Sequence, residues 1–294
     1  MLNHFHAEPK NPARVVIMGA GGFVGGAIRR RLERRGVDTL PLSRSQVDLL
    51  RPDGGAALAA ELRPDDALVA VSAIAPVRTP AMLRDNIIMI EAMAEALSKS
   101  PVSHVLNIGS DAIYHDSPDP LSESSCRAPN SLHGAMHLIR EIMLADAAGQ
   151  TPFASLRPTL IYGADDPHDG YGPNRFRRLA EKGEAITLFG DGEERRDHIW
   201  IEDVAELAVR ILLHRSSGAL NAATGTVISF REVAEATVAE IDPHVEIKPT
   251  SRTGPMPHNG YRPFDPAATR TAFPDFSYTA PLDGIPKARA AWRE

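Results

Sequence analysis

The sequence predicts an α/β protein built on a doubly wound parallel sheet, with a smaller C-terminal lobe. Short continuous apolar runs alternate with segments of helical periodicity between residues 12 and 160, and the first run, Val15 to Met18, ends directly at a cluster of glycines. After Arg157 the pattern gives way to loops rich in Gly, Pro and Asp. Continuous apolar runs are typical of strands buried on both faces, and strands alternating with helices favour a parallel sheet.

The elements of the sheet domain follow one another in regular order. Strands are predicted at 15–18, 38–42, 67–71, 102–108 and 153–156, and helices at 23–35, 54–62, 80–98 and 132–147. Further helices are predicted at 173–182, 203–213 and 230–241. We therefore expect a dinucleotide-binding domain over residues 12–160, with later C-terminal segments interleaved, and a substrate-binding lobe formed mainly by residues 161–294.

Composition excludes several classes of partner. The formal net charge of -6 argues against a nucleic-acid footprint, which would need a basic stripe. No apolar stretch reaches the ~20 residues of a membrane span, and the first twelve residues lack the apolar run of a signal peptide. The single cysteine, Cys126, excludes an intrachain disulfide and fits a reducing compartment, so we expect a cytoplasmic protein.

The glycine cluster predicts a dinucleotide cofactor. It lies between the first strand and the first helix, where a tight turn needs positive φ and the main chain must approach a pyrophosphate without an intervening side chain. The amide groups at the start of the helix then face the phosphates. The second strand ends at Ser43 and Arg44, and an Arg here can accept the 2′-phosphate of NADP, so the sequence slightly favours NADP over NAD.

The spacing Gly19-x-x-Gly22-x-x-Gly25 resembles the extended short-chain dehydrogenase/reductase family, which includes nucleotide-sugar epimerases, dehydratases and reductases. The resemblance runs along nearly the whole chain and implies a Rossmann fold with NAD(P) bound to it. It places Ser110, within Ile108 to Tyr114, at the position of the catalytic Ser. The cofactor-binding residues that it implies are Gly19, Gly21, Gly22, Phe23, Val24, Gly25, Ser43, Arg44, Asp48, Leu49, Ser72, Ala73, Ile74, Asn86 and His137.

The C-terminal part is similar to the nucleotide-sugar branch of that family. The segment 188–204 implies that Arg196 binds the diphosphate of a sugar nucleotide, and Arg262-Pro263-Phe264-Asp265 implies the same for Arg262. A guanidinium suits this role because it donates two parallel hydrogen bonds to phosphate oxygens. The alternative for each Arg is an ion pair with a nearby carboxylate, Asp197 or Asp265. Asn174 and Asp111 complete the expected substrate-binding residues.

The departure from the family lies at the catalytic helix. Where the family carries Tyr-x-x-x-Lys, this sequence has His133 and His137, flanked by Gly134 and Glu141 at the family's positions. Residues four apart on a helix lie on one face. Imidazole titrates near pH ~6.5, so His133 could transfer a proton without a charged helper, while a neutral His137 could contact the cofactor ribose.

Three hypotheses follow from this pair of histidines. In the first, which we favour, His133 is the proton-transfer group of an atypical NAD(P)-dependent nucleotide-sugar epimerase, dehydratase or reductase. In the second, the protein is a redox-silent sensor or scaffold that binds cofactor and ligand. In the third, the two histidines ligate a metal with His115 as a further ligand, although no Glu follows His133 as in zinc hydrolases, and we assign no metal ligand. The resemblance also implies a homodimer formed by the helices at 80–98 and 132–147.

Overall fold

The computed structural model describes residues 1–285 and residue 288. The described chain divides into two compact units. The first, called the sheet unit here, comprises Met1–His115, Ser125–Pro158 and Val204–Ala222. The second unit begins with Asp116–Ser124 and Thr159–Asp203 and continues from Ala223. That the two units bind cofactor and substrate respectively stays a prediction.

The sheet unit contains the parallel sheet that the sequence predicts. Its strands are β1 (Leu2–Asn3), β2 (Arg14–Met18), β3 (Thr39–Leu42), β4 (Asp66–Ala70), β5 (His104–Ile108), β6 (Phe153–Pro158) and β10 (Ser217–Ala222). They lie in the order β1-β10-β6-β5-β4-β2-β3, and all neighbouring strands are parallel except β1 and β10. The order reverses at β2, which has the next strand, β3, on one side and β4 on the other. Ligands of open α/β sheets bind outside the carboxyl ends of the strands at such a reversal.

Helices connect these strands and cover the sheet. They are α1 (Phe23–Arg34), α2 (Gly54–Glu61), α3 (Pro80–Lys99), α4 (Leu132–Ala148) and α6 (Ile201–Leu213). The hydroxyls of Thr79 and Ser131 accept main-chain N–H groups at the starts of α3 and α4, so each long helix begins where its first free amides find a partner. No helix in the described part of the chain has both the length and the apolar character that a bilayer crossing requires.

One apolar cluster of the sheet unit lies between the sheet and helices α2, α3 and α4. Strands β2, β4 and β5 are buried along almost their whole length, as the apolar runs predict. The cluster includes Val16, Leu68 and Val105 from these strands and Ile90 and Leu144 from the helices. The sheet and the carboxyl ends of its strands are therefore rigidly supported.

The second unit combines short strands and helices. Its strands are β7 (Leu160–Tyr162), β8 (Ile186–Phe189), β9 (Arg195–Trp200), β11 (Val227–Ser229), β12 (Ile247–Thr250) and β13 (Tyr261–Arg262), and its helices are α5 (Pro173–Glu181), α7 (Phe230–Ile241) and α8 (Ala267–Ala272). Strand β9 is central because β7, β11 and β13 all pair with it. Ser229 and Glu232 form a reciprocal capping box at the start of α7, which fixes where that helix begins.

Candidate active site

The glycine turn has the geometry that a pyrophosphate site requires. Gly19 adopts φ 104°, and a Cβ placed on it would lie 2.8 Å from the main-chain nitrogen of Ser72. A Cβ on Gly25 would lie only 2.3 Å from the carbonyl oxygen of Gly19, whereas a Cβ on Gly21 would meet no atom within 4 Å. Gly19 and Gly25 are thus needed for the turn itself, and Gly21 leaves its main chain accessible. The amides of Gly22, Phe23 and Val24 form the start of α1, which carries no acidic residue in its first turn.

The residues after β3 form an exposed turn. Ser43 donates its main-chain N–H to Gln46 Oε1 at 2.9 Å. Arg44 is 75% exposed and pairs with Asp48, with 3.2 Å between Nε and Oδ2. The main-chain N–H of Leu50, and then the charge of Arg44, lower the pKa of Asp48. Leu49 belongs to the apolar core, so only its main chain is available to a ligand.

Asn86 holds the segment from Ser72 to Ile74 in place. Its carboxamide accepts the N–H of Ile74 at 3.0 Å and donates to the carbonyl of the same residue at 3.0 Å. Asn86 is 2% exposed. Its side chain therefore supports the main chain of the predicted cofactor segment, and Ser72, Ala73 and Ile74 remain partly exposed beside the glycine turn.

Ser110 lies at the turn that follows β5, and this turn packs against the start of α4. Its hydroxyl accepts the N–H of Ala112 at 3.2 Å and lies 3.5 Å from Asp111 Oδ1. The first turn of α4 packs tightly against this turn, because a Cβ on Gly134 would lie 2.1 Å from the carbonyl oxygen of Ala112. The glycine after His133 is therefore a steric requirement, and the fold brings Ser110 and the start of α4 together.

His133 and His137 lie on one face of α4, as their spacing predicts. Their rings are 4.7 Å apart and perpendicular. The N–H of Val77 approaches His133 Nδ1 at 3.5 Å, the outer limit for a hydrogen bond. His137 is 7% exposed, and its Nδ1 has no partner among the described residues. Burial, followed by smaller contributions from His133 and Arg140, lowers the pKa of His137 well below its usual value, so its ring is neutral at pH 7.

A buried polar network that was not predicted from the sequence supports the same helix. Arg157 donates through Nε to Glu141 Oε2 at 2.9 Å and through Nη2 to Oε1, and Ser155 donates to the same carboxylate at 2.9 Å. Burial alone would raise the pKa of Glu141, but the contacts with Arg157 outweigh it and the pKa lies below its usual value. Arg157 also donates to the hydroxyl of Tyr114 at 2.6 Å. The spacing His137-x-x-x-Glu141 places both residues on one helix face and was the available signal.

In the second unit, the two predicted diphosphate arginines lie side by side. Arg196 on β9 is the register partner of Arg262 on the parallel strand β13. Neighbouring strands are about 4.8 Å apart, so two guanidinium-bearing side chains start from one rung of the sheet. Like charges at such positions repel, and anionic groups must balance them. Arg196 Nη1 lies 3.4 Å from Glu194, and burial raises the pKa of that carboxyl group.

Arg262 forms an ion pair with Asp116, a partner that was not predicted from the sequence. Its Nη1 donates to Asp116 Oδ1 at 2.6 Å, and His258 Nδ1 lies 2.5 Å from the same oxygen. Asp197 accepts hydrogen bonds from Thr159, Thr224 and Gly225, and Asp265 lies 3.9 Å from Arg270.

Asn174, predicted to contact substrate, is buried at the start of α5 with its carboxamide in use. It accepts the N–H of Gly163 at 3.1 Å and donates to Asp166 at 2.6 Å. Its direct contact with a substrate stays a prediction. Within residues 1–285 and 288, no group of three or more His, Cys, Asp or Glu side chains is arranged to hold a metal ion.

Fold and site together define the class: an α/β enzyme that carries out nicotinamide-dependent chemistry. The model of the NAD dependent epimerase/dehydratase family matches residues 15–223, and the chain belongs to that family. It is 28% identical over 268 residues to dTDP-4-dehydro-6-deoxy-D-allose reductase from Streptomyces bikiniensis, covering 76% of this chain and 80% of that protein. It is 28% identical to GDP-L-fucose synthase from Escherichia coli, covering 78% of this chain and 81% of that protein.

The fold is also found among solved structures. UDP-glucose 4-epimerase from Thermus thermophilus, in complex with NAD, superimposes with a TM-score of 0.82 at 23% identity, covering 95% of this chain and 99% of that chain. The expectation of an extended short-chain dehydrogenase/reductase with a doubly wound sheet is therefore confirmed.

Proposed function

We propose that this protein carries out an NAD(P)-dependent epimerase, dehydratase or reductase reaction on a nucleotide sugar, with His133 as the proton-transfer group. The observation that carries the proposal is the rung shared by Arg196 and Arg262 in a chain of the NAD dependent epimerase/dehydratase family. Two guanidinium groups from adjacent strands match the two phosphates of a nucleoside diphosphate. The curated relatives are named for dTDP- and GDP-sugar chemistry, which supports the same substrate class.

The residues of the sheet unit fit a dinucleotide. The turn at Gly19 and Gly25 has no room for side chains, and the buried, unpartnered Nδ1 of His137 lies one helical turn from His133. A ribose hydroxyl is a suitable partner for that nitrogen. When bound, the nicotinamide exchanges a hydride with a substrate carbon. We propose NADP in preference to NAD because Arg44, after β3, can turn from Asp48 towards a 2′-phosphate.

His133 and His137 take the roles that a tyrosine and a lysine have elsewhere in the family, namely proton transfer and orientation of the cofactor. A phenol needs a nearby cation to titrate near neutrality, whereas imidazole does so unaided. His133 therefore gives a proton to, or takes one from, the substrate oxygen. Ser110 hydrogen-bonds that oxygen, and neutral His137 orients the cofactor. A positioned acid or base of this kind contributes about 10²–10⁴ in rate.

To test this, the purified protein is incubated with NADPH, NADH, NADP⁺ or NAD⁺ and a panel of UDP-, dTDP- and GDP-sugars, including 4-keto forms, and turnover is measured. We expect turnover of one class, and a loss of about 10²–10⁴ in kcat for His133→Gln at an unchanged melting temperature. The matched control is His115→Gln, which lies outside α4. An unchanged rate in His133→Gln would remove the proposed role. Tight binding of dinucleotide and sugar nucleotide without any turnover would establish the redox-silent alternative instead.

We also propose a homodimer formed by α3 and α4. Ile88 on α3 is 37% exposed and Ile142 on α4 is 56% exposed, and further apolar residues of the two helices, such as Leu138, are partly exposed. Sedimentation should show a dimer for the wild type and a monomer for Ile142→Glu. A monomeric wild type would contradict the proposal.

A further inference from the structure

Arg140 is a buried cation whose hydrogen-bond partners are both uncharged. It is 1% exposed, and it donates through Nε to Asn107 Oδ1 at 2.9 Å and through Nη1 to the carbonyl of Ser72 at 2.6 Å. Its Nη2 is buried and has no partner among the described residues. An ionised group in a protein interior is normally paired with an opposite charge, because desolvation costs several kcal/mol. This arginine therefore needs an explanation other than stability.

The guanidinium lies beneath the predicted cofactor segment. Ser72 lies two residues beyond the end of β4, and Asn107 belongs to β5, so Arg140 spans the carboxyl ends of two adjacent strands. The other side of Ser72 faces the glycine turn, because its main-chain nitrogen lies 2.8 Å from where a Cβ of Gly19 would be. Ser72 donates that N–H to Met18, the last residue of β2. One residue thus links Arg140 to the turn.

Arg140 carries a permanent positive charge at neutral pH, whereas His137 on the same face of α4 does not. Burial lowers the pKa of Arg140 to about 10, which still leaves it protonated at pH 7. His137, three residues earlier on the same face, is neutral there. The carboxylate of Glu141 is neutralised by Arg157 and Arg127. A net positive charge therefore persists under the turn.

We infer that Arg140 is a positioning residue of the dinucleotide site, whose fixed charge beneath the glycine turn orients the cofactor's diphosphate, the anion that balances it. The inference rests on the proposed dinucleotide binding. It explains why a charge that costs stability is kept in the interior: the anion that balances it arrives with the ligand. In a medium of low dielectric such an interaction acts over several ångströms without direct contact.

Two variants separate charge from packing. Arg140→Met removes the charge at similar volume, and Arg140→Lys keeps it but loses the forked contacts. Calorimetry should show that Arg140→Met weakens binding of NADPH or NADH about tenfold, while Arg140→Lys stays within about threefold of the wild type. Adenosine, which has no phosphate, should bind all three proteins equally. The melting temperature without ligand should be unchanged or higher for Arg140→Met, because an uncompensated buried charge is gone.

Several results would overturn the inference. Wild-type affinity in Arg140→Met would do so, as would a tenfold loss in Arg140→Lys or a parallel loss of adenosine binding, since a purely structural role affects all ligands. If Arg140→Met does not fold, Arg140→Gln, which also removes the charge but keeps a hydrogen-bond donor, replaces it in the same comparison with Arg140→Lys. A wild-type protein that binds no dinucleotide would refute the proposed function as well, whereas tight binding that is indifferent to Arg140 would refute only this inference.

Discussion

Arg262 donates a hydrogen bond to Asp116 across 146 positions of sequence, with 2.6 Å between Nη1 and Oδ1. The guanidinium is 1% exposed, and His258 shares the same carboxylate oxygen. Asp116 thus fixes the orientation of an arginine whose neighbour on the next strand is Arg196. Burial, and then the charge of Arg196, lower the pKa of His258, while Asp116 opposes them, so this cluster gains little charge from the imidazole at neutral pH.

Arg262→Lys should therefore weaken nucleoside diphosphate binding although the charge is kept. A lysine cannot contact Asp116 and a phosphate with the same rigid fork, so we expect UDP, dTDP or GDP to bind about tenfold more weakly. The matched control is Arg270→Lys, because Arg270 is 67% exposed and pairs with Asp265 only at 3.9 Å. Calorimetry on both variants, with melting temperatures measured without ligand, checks the result. Equal affinities in the two would contradict a phosphate role for Arg262.

The glycine turn offers a test that separates binding from folding. Gly21→Ala should leave the melting temperature unchanged, since its Cβ meets no protein atom within 4 Å, yet weaken dinucleotide binding about tenfold. Gly25→Ala should lower both the melting temperature and the dinucleotide affinity, because its Cβ would overlap the carbonyl of Gly19. Such a clash costs about 1–3 kcal/mol.

Gly170→Ala is the control for the turn, because Gly170 is exposed and equally without neighbours. It should change neither the melting temperature nor the dinucleotide affinity. If Gly21→Ala bound dinucleotide as tightly as Gly170→Ala, no pyrophosphate would lie against this turn.

Glu141 has one buried and one exposed arginine partner, and the two should differ sharply in importance. Arg157→Met leaves a buried carboxylate without its main partner and should lower the free energy of unfolding by about 3–5 kcal/mol. Arg127 contacts the same carboxylate at 3.1 Å but is 47% exposed, and Arg127→Met should cost less than about 1 kcal/mol. Urea unfolding measures both. Similar losses would show that Arg157 does not hold α4 in place.

The fold was largely predictable because its signals are local. The bounds of α7 agree with the sequence to the residue, since Ser229 and Glu232 cap its start and apolar periodicity continues to Ile241. The sequence missed strand β10, whose residues Ser217–Ala222 show no apolar alternation, and its antiparallel partner β1. Strands of this kind are specified by the strands that they pair with, which a local pattern does not contain.

The candidate site could be predicted from the sequence only where its residues lie close together along the chain. His133 and His137 share a face because they are four apart on a helix, and the glycine turn follows a strand. The contacts of Arg262 with Asp116 and His258 have no local signal, because the loops that carry them meet only in the folded second unit. Arg140 follows His137 by three residues, so helical spacing could have indicated it, but burial without a carboxylate is visible only in three dimensions.

His198 should make the protein sensitive to acid. Its ring is 1% exposed on β9 and packs edge-on against Phe230, and neither nitrogen has a partner among the described residues. Burial, with a smaller contribution from Arg196, lowers its pKa to about 3, and burial lowers that of His104 to about 4. In the unfolded chain both titrate near pH ~6.5.

Between pH ~6.5 and these folded-state values the unfolded state binds more protons, so the two neutral histidines cost no stability above pH ~6.5 and progressively more below it. Each should remove about 1.4 kcal/mol for every pH unit in that range. His198→Phe abolishes one of these contributions, and it also removes two buried polar atoms that make no hydrogen bond, each worth about 1–3 kcal/mol. Urea unfolding at pH 7.5 and pH 5 should therefore show His198→Phe more stable than the wild type at both, with the larger gain at pH 5. A gain that does not grow on acidification would show that His198 is protonated, or hydrogen-bonded, in the folded protein.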